Sequence, residues 1–392
     1  MGAINLTRIF ISTGEVSGDL QGALLVEALK RHAVREKLEL EIVALGGSKM
    51  AAAGATLVGN TSSIGSFGIL EALPFVIPTL QLQQLAKQYL QKHPPDLVIL
   101  IDYMKPNIAL GSYIRRRLPE VPMVYYIAPQ EWVWSSSPRD TAQIVEITDL
   151  MLAIFPEEAR YFRSHGCKVV WVGHPLVDRM QTAPSRESAR AALGISPQQT
   201  AIAVFPISRR QEIKYLLPTI CQAAQQIQAE LPEVHFLFSL SLEIYRQPVE
   251  QAIGRYGLQA TVLSEKVQKV MAASDLAIAK SGTVNLELAL LNVPQVVAYR
   301  LNPITMWIAR NLLKFSIPFA APPNLVVMKQ IVPELLQEQA TPEKIAQIAL
   351  ELLLNPSRRQ QTLADYQEMR QCLGEVGVCD RAAVEIFRLL PG

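Results

Sequence analysis

Two α/β domains, each built on a parallel sheet and facing one another across a cleft, are what this sequence predicts. Three observations lead there. A chain of 392 residues is long enough for two domains with a core apiece. Short apolar runs alternate with amphipathic stretches along its length, the pattern of strand–helix units. The alternation also runs twice, on either side of a polar stretch at residues 179–199 that carries Pro184, Gly194 and Pro197. The expected organisation is a Rossmann-like domain over 1–178, a linker over 179–199, and a second Rossmann-like domain over 200–392 that ends in a helical tail.

Taken in order, residues 8–12 read as a strand. Residues 20–31 read as a helix with Leu20, Leu24, Ala28 and Leu29 on one face and Gln21, Glu27 and Arg31 off it. A strand at 41–45 ends in Gly46 and Gly47. Residues 96–101 are almost continuously apolar, as a parallel strand covered on both faces should be. Further strands fall at 123–127, 151–155 and 169–172. The second half repeats the logic, with strands at 201–205, 235–240, 260–263, 276–279 and 295–299. A long helix starts near Gln211, and the chain is mostly helical from Thr341 on.

Composition narrows the function. A formal net charge of +2 supplies no field for nucleic acid. Charged residues make up 18% of the chain, and the mean hydropathy is +0.18. Both lean apolar and point to a greasy surface. Cys167, Cys221, Cys372 and Cys379 are scattered, with no CxxC pair and no His/Cys cluster, so no metal site is expected and a reducing cytoplasm is the default. No secretory leader is read in the opening residues. No run spans a bilayer; the nearest, 64–80, is broken by Glu71, Pro74 and Pro78.

In parallel sheets, ligands bind beyond the carboxyl ends of strands, so the loops there are the candidates. Lys280-Ser281-Gly282-Thr283 joins the apolar run 276–279 to a helix-like run from Leu286. Small residues at such a turn leave N–H groups open to a phosphate, Lys280 adds a cation, and Glu287, about one turn on, is within reach of a ribose hydroxyl. A capping box fits the spacing poorly, since Val284 or Leu286 would stand at its third position. Thr13-Gly14-Glu15-Val16-Ser17-Gly18-Asp19 follows the first strand. It is not a dinucleotide fingerprint, which argues against an NAD-dependent dehydrogenase. Asp19 reads as a helix cap, and Glu15 stands where a cleft should be. In the matching loop of the second half, Ser208 with Gln211 makes a capping box, and Arg209 at a helix start wants an anion. His174 reads first as a hydrogen-bonded structural residue at the domain border. Tyr125, Tyr126, Trp132 and Trp134 read as core or cleft wall. Residues 64–80 and 302–321, the latter with Trp307, Phe315 and Phe319 among Arg310 and Lys314, suit a lipid-facing surface.

Together these loops resemble the lipid-A-disaccharide synthase family, glycosyltransferases of GT-B type. The resemblance covers nearly the whole chain. It rests on Gly14-Glu15-Val16-Ser17-Gly18-Asp19, Ile127-Ala128-Pro129-Gln130 with Trp132 and Trp134, Gly173-His174-Pro175, Ser281-Gly282-Thr283 with Leu286-Glu287, Pro323-Asn324-Leu325, and Pro333-Glu334-Leu335-Leu336-Gln337. It implies transfer of a diacylated glucosamine from UDP to an acylated glucosamine 1-phosphate, without metal or cofactor, at the cytoplasmic face of the inner membrane. The second domain would then hold the UDP-sugar through Ser208, Arg209, Lys280, Ser281, Gly282, Thr283, Glu287, Asn324 and Gln337. The first would hold the acceptor through Gly14, Ser17, Gly18, Asp19, Asn107, Gln130 and His174. Glu15, Asp102 and Arg209 would be catalytic, and a second copy of the chain is a candidate partner.

Two positions depart from the family pattern. In Ile101-Asp102-Tyr103-Met104-Lys105-Pro106-Asn107, Lys105 replaces a second aspartate, the usual candidate base, leaving Asp102 or Glu15 as base, a different acceptor, or lost activity. Ile207 replaces the glycine of a P-G-S-R loop, where a β-branched residue resists positive φ. The competing classes are a UDP-sugar or lipid-binding protein without catalysis, and a UDP-sugar epimerase or hydrolase.

Overall fold

The computed structural model describes residues 6–61, 75–135, 137–264, 266–300, 302, 306–307 and 317–390. The expected greasy segments therefore lie largely outside the described residues, as do Arg310, Lys314 and Phe315. The chain divides into two compact units, one formed by residues 1–178 with 373–392 and the other by residues 179–372.

The first unit holds a seven-stranded sheet of β1 (Leu6–Ser12), β2 (Glu39–Gly46), β3 (Thr56–Asn60), β4 (Leu97–Ile101), β5 (Met123–Tyr126), β6 (Leu150–Ala153) and β7 (Val169–Trp171). All pairs are parallel, in the order β3-β2-β1-β4-β5-β6-β7. The central strand β4 is buried along its full length, because helices cover both faces and Leu-Val-Ile-Leu-Ile can be apolar throughout. The order of strands reverses between β1 and β4. At such a switch point the loops leaving the two strands diverge to opposite faces and open a crevice. The residues flanking it are Thr13–Asp19 and Asp102–Asn107.

The second unit repeats the plan with six parallel strands, β8 (Ala201–Phe205), β9 (His235–Ser239), β10 (Ala260–Leu263), β11 (Leu276–Ala279), β12 (Gln295–Tyr299) and β13 (Glu334–Leu336), in the order β10-β9-β8-β11-β12-β13. Its switch point lies between β8 and β11, flanked by the loop after Phe205 and by Lys280–Thr283. Ile202, Val204, Phe236, Phe238, Ile278 and Val296 build the core on one side of this sheet with Ile220 and Ile227 of the helix Leu217–Glu230.

The structure corrects the expected division in two places. Residues 179–199 are not a bare linker: Arg186–Leu193 is a helix with a Ser185 cap, and its Arg190, buried, donates to the carbonyls of Ala273, Ser196 and Gln199. The end of the chain does not belong to the second unit either. The helix Val378–Phe387 buries Val378, Cys379, Ala382, Ala383 and Ile386 within the first unit. Asp178 caps it by accepting from the N–H groups of Gly377, Val378 and Cys379 at 2.7, 3.1 and 2.8 Å. Arg31 of the helix Glu15–Glu36 pairs with Asp380 at 2.9 Å, and His32 lies 4.6 Å from the Phe387 ring.

Candidate active site

The crevice of the first unit is built on strained backbone. Glu15, Asp102, Tyr103 and Ile127 have φ of 59°, 46°, 48° and 61°, all at carboxyl ends of β1, β4 and β5. For a β-branched residue such as Ile127 this is a true outlier, and such strain persists only where surrounding bonds hold it. Those bonds converge on Asp102. Its N–H donates to the Ile127 carbonyl at 2.9 Å, and its own carbonyl accepts from Tyr125 Oη and Asn107 Nδ2, each at 2.8 Å. Asn107 also donates to the carbonyls of Ile101 and Ser12 and accepts from Ser12 Oγ at 2.7 Å. The backbone of Asp102 is thereby clamped while its side chain stays in solvent reach. Partial desolvation, reinforced by the negative Glu15, pushes its carboxyl up to about 6.

Gly14 is required by this arrangement: a Cβ there would lie 2.3 Å from the Tyr103 ring. Gly18 is equally constrained, with Thr13 Oγ1 at 2.0 Å from a built Cβ. Glu15 and Ser17 are half-buried and Gln130 is exposed. Three expected acceptor contacts prove to be scaffolding. Asp19 does not cap its own helix, which begins at Glu15; its carboxylate accepts from Gly47, Lys49 and Met50 N–H groups at 2.8–3.0 Å and starts the next helix. Asn107 is fully buried in the clamp just described. His174 is buried, accepts from the Leu176 N–H through Nδ1 at 3.1 Å and packs 5.2 Å from Phe155, and burial lowers its pKa to about 3, so it stays neutral.

Lys105 does not reach for a ligand. Its ammonium sits 2.7 Å from both oxygens of Asp140, a buried carboxylate. Nearby Glu131 is buried too, and desolvation raises its pKa while Ser135 and Thr141 hydroxyls donate to it. Nothing in the local pattern around Lys105 points to Asp140, which is 35 residues away.

In the second unit, the loop after β8 is capped by Glu212 rather than Gln211. Glu212, buried, accepts from the N–H groups of Ser208 and Arg209 at 2.5 and 2.9 Å. The box was misplaced because Arg209, not Ser208, occupies the cap position. Ile207 is buried in the core, and its φ is not positive, so the position makes no demand for glycine. Lys280 Nζ donates to the Ser281 carbonyl at 3.1 Å and lies 3.9 Å from Glu212 Oε1. The turn after β11 is less open than its composition suggested: the Gly282 N–H donates to Asn285 Oδ1 at 2.8 Å, and Ser281 Oγ to the Ala320 carbonyl at 2.6 Å. The N–H groups of Ser281 and Thr283 make no hydrogen bond among the described residues. Asn285 was not foreseen. It is buried and locked to Gln295, which fixes the turn from behind.

Glu287 is buried and pairs with Arg179. Desolvation raises its carboxyl, and Arg179 works against that shift. Asn324 is scaffolding rather than an open contact: Oδ1 accepts from the Ile331 and Val332 N–H groups and Nδ2 donates to the Val332 carbonyl. Gln337, at the end of β13, has a φ of 52°, and its carbonyl accepts from Arg300 Nε at 3.1 Å. Among the described residues no group of three or more His, Cys, Asp or Glu could hold a metal ion.

Two doubly wound parallel sheets, each with polar residues gathered at its switch point, define a GT-B-like fold. Solved structures agree on the fold. The S. aureus MnaA–UDP co-structure superposes with a TM-score of 0.66 at 15% identity, over 98% of each chain. The UDP-GlcNAc 2-epimerase from Neisseria meningitidis bound to UDP-GlcNAc gives 0.63 at 12% identity, over 97% of this chain and 100% of that one. Sequence comparison is more specific. The lipid-A-disaccharide synthetase family model matches residues 9–386. The lipid-A-disaccharide synthase of Gloeothece citriformis is 64% identical over 97% of this chain and 99% of its own length, and that of Synechocystis sp. 56% identical over 98% of each. The chain belongs to the lipid-A-disaccharide synthase family and is, with it, a glycosyltransferase of lipid A biosynthesis.

Proposed function

We propose that the first unit binds an acylated glucosamine 1-phosphate, that the second binds a UDP-linked diacylglucosamine, and that Asp102 is the base that joins them. An acceptor hydroxyl attacks the anomeric carbon of the donor. The bond from that carbon to the diphosphate oxygen breaks, UDP leaves with the electron pair, and the Asp102 carboxylate takes the hydroxyl proton. The configuration at the anomeric carbon inverts. Arg209, Lys280 and the N–H groups of Ser281 and Thr283 answer the charge growing on the diphosphate.

The observation that carries this reading is Asp102 itself, a carboxylate on a clamped turn at a switch point, with its pKa raised to about 6. A base poised there is ionised at neutral pH yet basic enough to accept a proton. Glu15 supports it by placing a second negative charge nearby. With Asp102 as base, kcat/KM rises with pH through about 6 and levels above it. Asp102→Asn lowers transfer by roughly 10²–10⁴-fold and abolishes that limb, with UDP binding kept. Measured by UDP release and product mass over pH 5–8, undiminished transfer by Asp102→Asn beside an inert Glu15→Gln would move the role to Glu15.

The substrates' acyl chains reside in a membrane, and the chain has apolar surface suited to reaching them. Val76, Ile77 and Leu80 on the helix Val76–Lys92 are 47%, 68% and 63% exposed, and Trp307 is 59% exposed. No helix among the described residues is long and apolar enough to cross a membrane. Peripheral attachment at the inner-membrane surface fits both facts.

A further inference from the structure

Buried glutamates in this protein mostly serve the backbone. Glu158 accepts from the N–H groups of Ala128, Ile154 and Phe155. Glu212 accepts from Ser208 and Arg209, and the half-buried Glu334 from Ala320 and Ala321. Each ends a loop or starts a helix. Glu287 does none of this. Its side chain is 7% exposed, and the one hydrogen bond it makes among the described residues comes from Arg179 Nη1 to Oε1. Oε2 makes none among the described residues and is not sealed from solvent.

Arg179 is the first residue of the second unit and lies 108 positions from its partner. Its local sequence carries no motif that marks it. A carboxylate buried to this degree needs a counter-charge to stay ionised. One N–H of the guanidinium, at Nη1, engages Oε1 and anchors that oxygen on the Arg179 side of the group. With Oε1 taken by Arg179, Oε2 is left to accept a further hydrogen bond, one turn beyond the Lys280–Thr283 loop. A neutral hydroxyl is the ligand group such an acceptor suits; a phosphate oxygen would be repelled.

We infer that Arg179 is a positioning residue for nucleotide recognition, holding Glu287 so that its free oxygen accepts from a ribose hydroxyl of the donor. The inference rests on the proposed binding of a uridine diphosphate sugar by the second unit, and it adds the residue that makes that binding selective for ribose. A purely structural ion pair would make the same contact but would not sense the sugar of the nucleotide.

The test is calorimetric titration of the full chain with UDP, 2′-deoxy-UDP and 3′-deoxy-UDP. The unaltered protein should prefer UDP over at least one deoxy analogue by roughly tenfold or more, the range for a hydrogen bond to a charged group. Arg179→Ala should bind UDP about as weakly as the unaltered protein binds that analogue, with the preference gone. Arg179→Lys keeps the charge and a donor but with a shorter, differently placed head, and should recover part of the preference. Adding Glu287→Gln to Arg179→Ala should change the ratio no further, since both act on one contact. Circular dichroism of each variant checks that the fold persists, and Arg179→Lys serves as the probe should the alanine variant unfold. Equal losses for UDP and both analogues in the Arg179 variants, or a preference that survives them, overturn the inference alone. No heat from UDP with the unaltered protein overturns the nucleotide reading and the inference with it.

Discussion

At position 105 the residue that departs from the family pattern is tied into the fold by an ion pair. The lysine there is charge-paired with Asp140, whose side chain is only 6% exposed, at 2.7 Å to both oxygens. It thus answers a carboxylate that would otherwise be buried alone, and under the proposed mechanism the proton acceptor is Asp102 on the preceding turn. Putting back the family's aspartate would set two carboxylates against each other. Lys105→Asp should therefore destabilise the chain by about 1–2 kcal/mol, the lower part of the range for an unpaired buried group because the lysine itself is well exposed. It should not raise transfer. Thermal melting and UDP-release rates read both effects, and a faster, equally stable variant would contradict this account. Ile207 needs no such compensation: it is a core residue with ordinary backbone.

Among the secondary elements, the C-terminal helix Val378–Phe387 is tied down at its start by one side chain as well as by its apolar face. Asp178 satisfies three of its first N–H groups at once. Asp178→Ala should cost about 1–2 kcal/mol, the upper end of a cap, and hydrogen exchange should quicken at residues 377–387 before it does in β8 or β11. Unchanged protection there would show that the apolar face alone seats the helix. Which elements could be read from sequence follows from where their information lies. Strands such as β4 and β8 were legible because burial on both faces makes them apolar throughout. β13 was not, since Glu334–Leu336 is too short to show a pattern. The helix Glu15–Glu36 was expected five residues late, because its cap is Gly14, which has no side chain to signal it, and because Gln21, expected outside, is buried. The tail reads as mostly helical, but nothing in it marks the helix it covers. The candidate site divides the same way. Residue types at strand ends marked the two crevices, whereas the pairings Lys105–Asp140, Arg179–Glu287 and Gly282–Asn285 depend on the folded backbone and left no mark in the sequence beyond the residues themselves.

For the whole molecule, the two units differ in how they are assembled from the chain. The second is one continuous run, 179–372, while the first needs two separated segments, 1–178 and 373–392. The join is close: the His174 N–H donates to the Leu373 carbonyl at 2.8 Å, and Asp178 reaches residues 377–379. A fragment of residues 179–372 keeps its whole sheet and both loops of the β8/β11 switch point, so it should unfold cooperatively and bind UDP without the rest of the chain. A fragment of residues 1–178 would expose the side of Glu15–Glu36 that the tail covers, and should be poorly folded. Joining 178 to 373 by a short Gly/Ser linker restores the missing helix at high local concentration, because the ends already lie together. That fusion should regain a sharp thermal transition and near-ultraviolet dichroism, with no affinity for UDP. A second-unit fragment that folds but fails to bind would mean the nucleotide needs residues from the first. An equally cooperative 1–178 fragment would mean the tail is an ornament on that unit rather than part of its core.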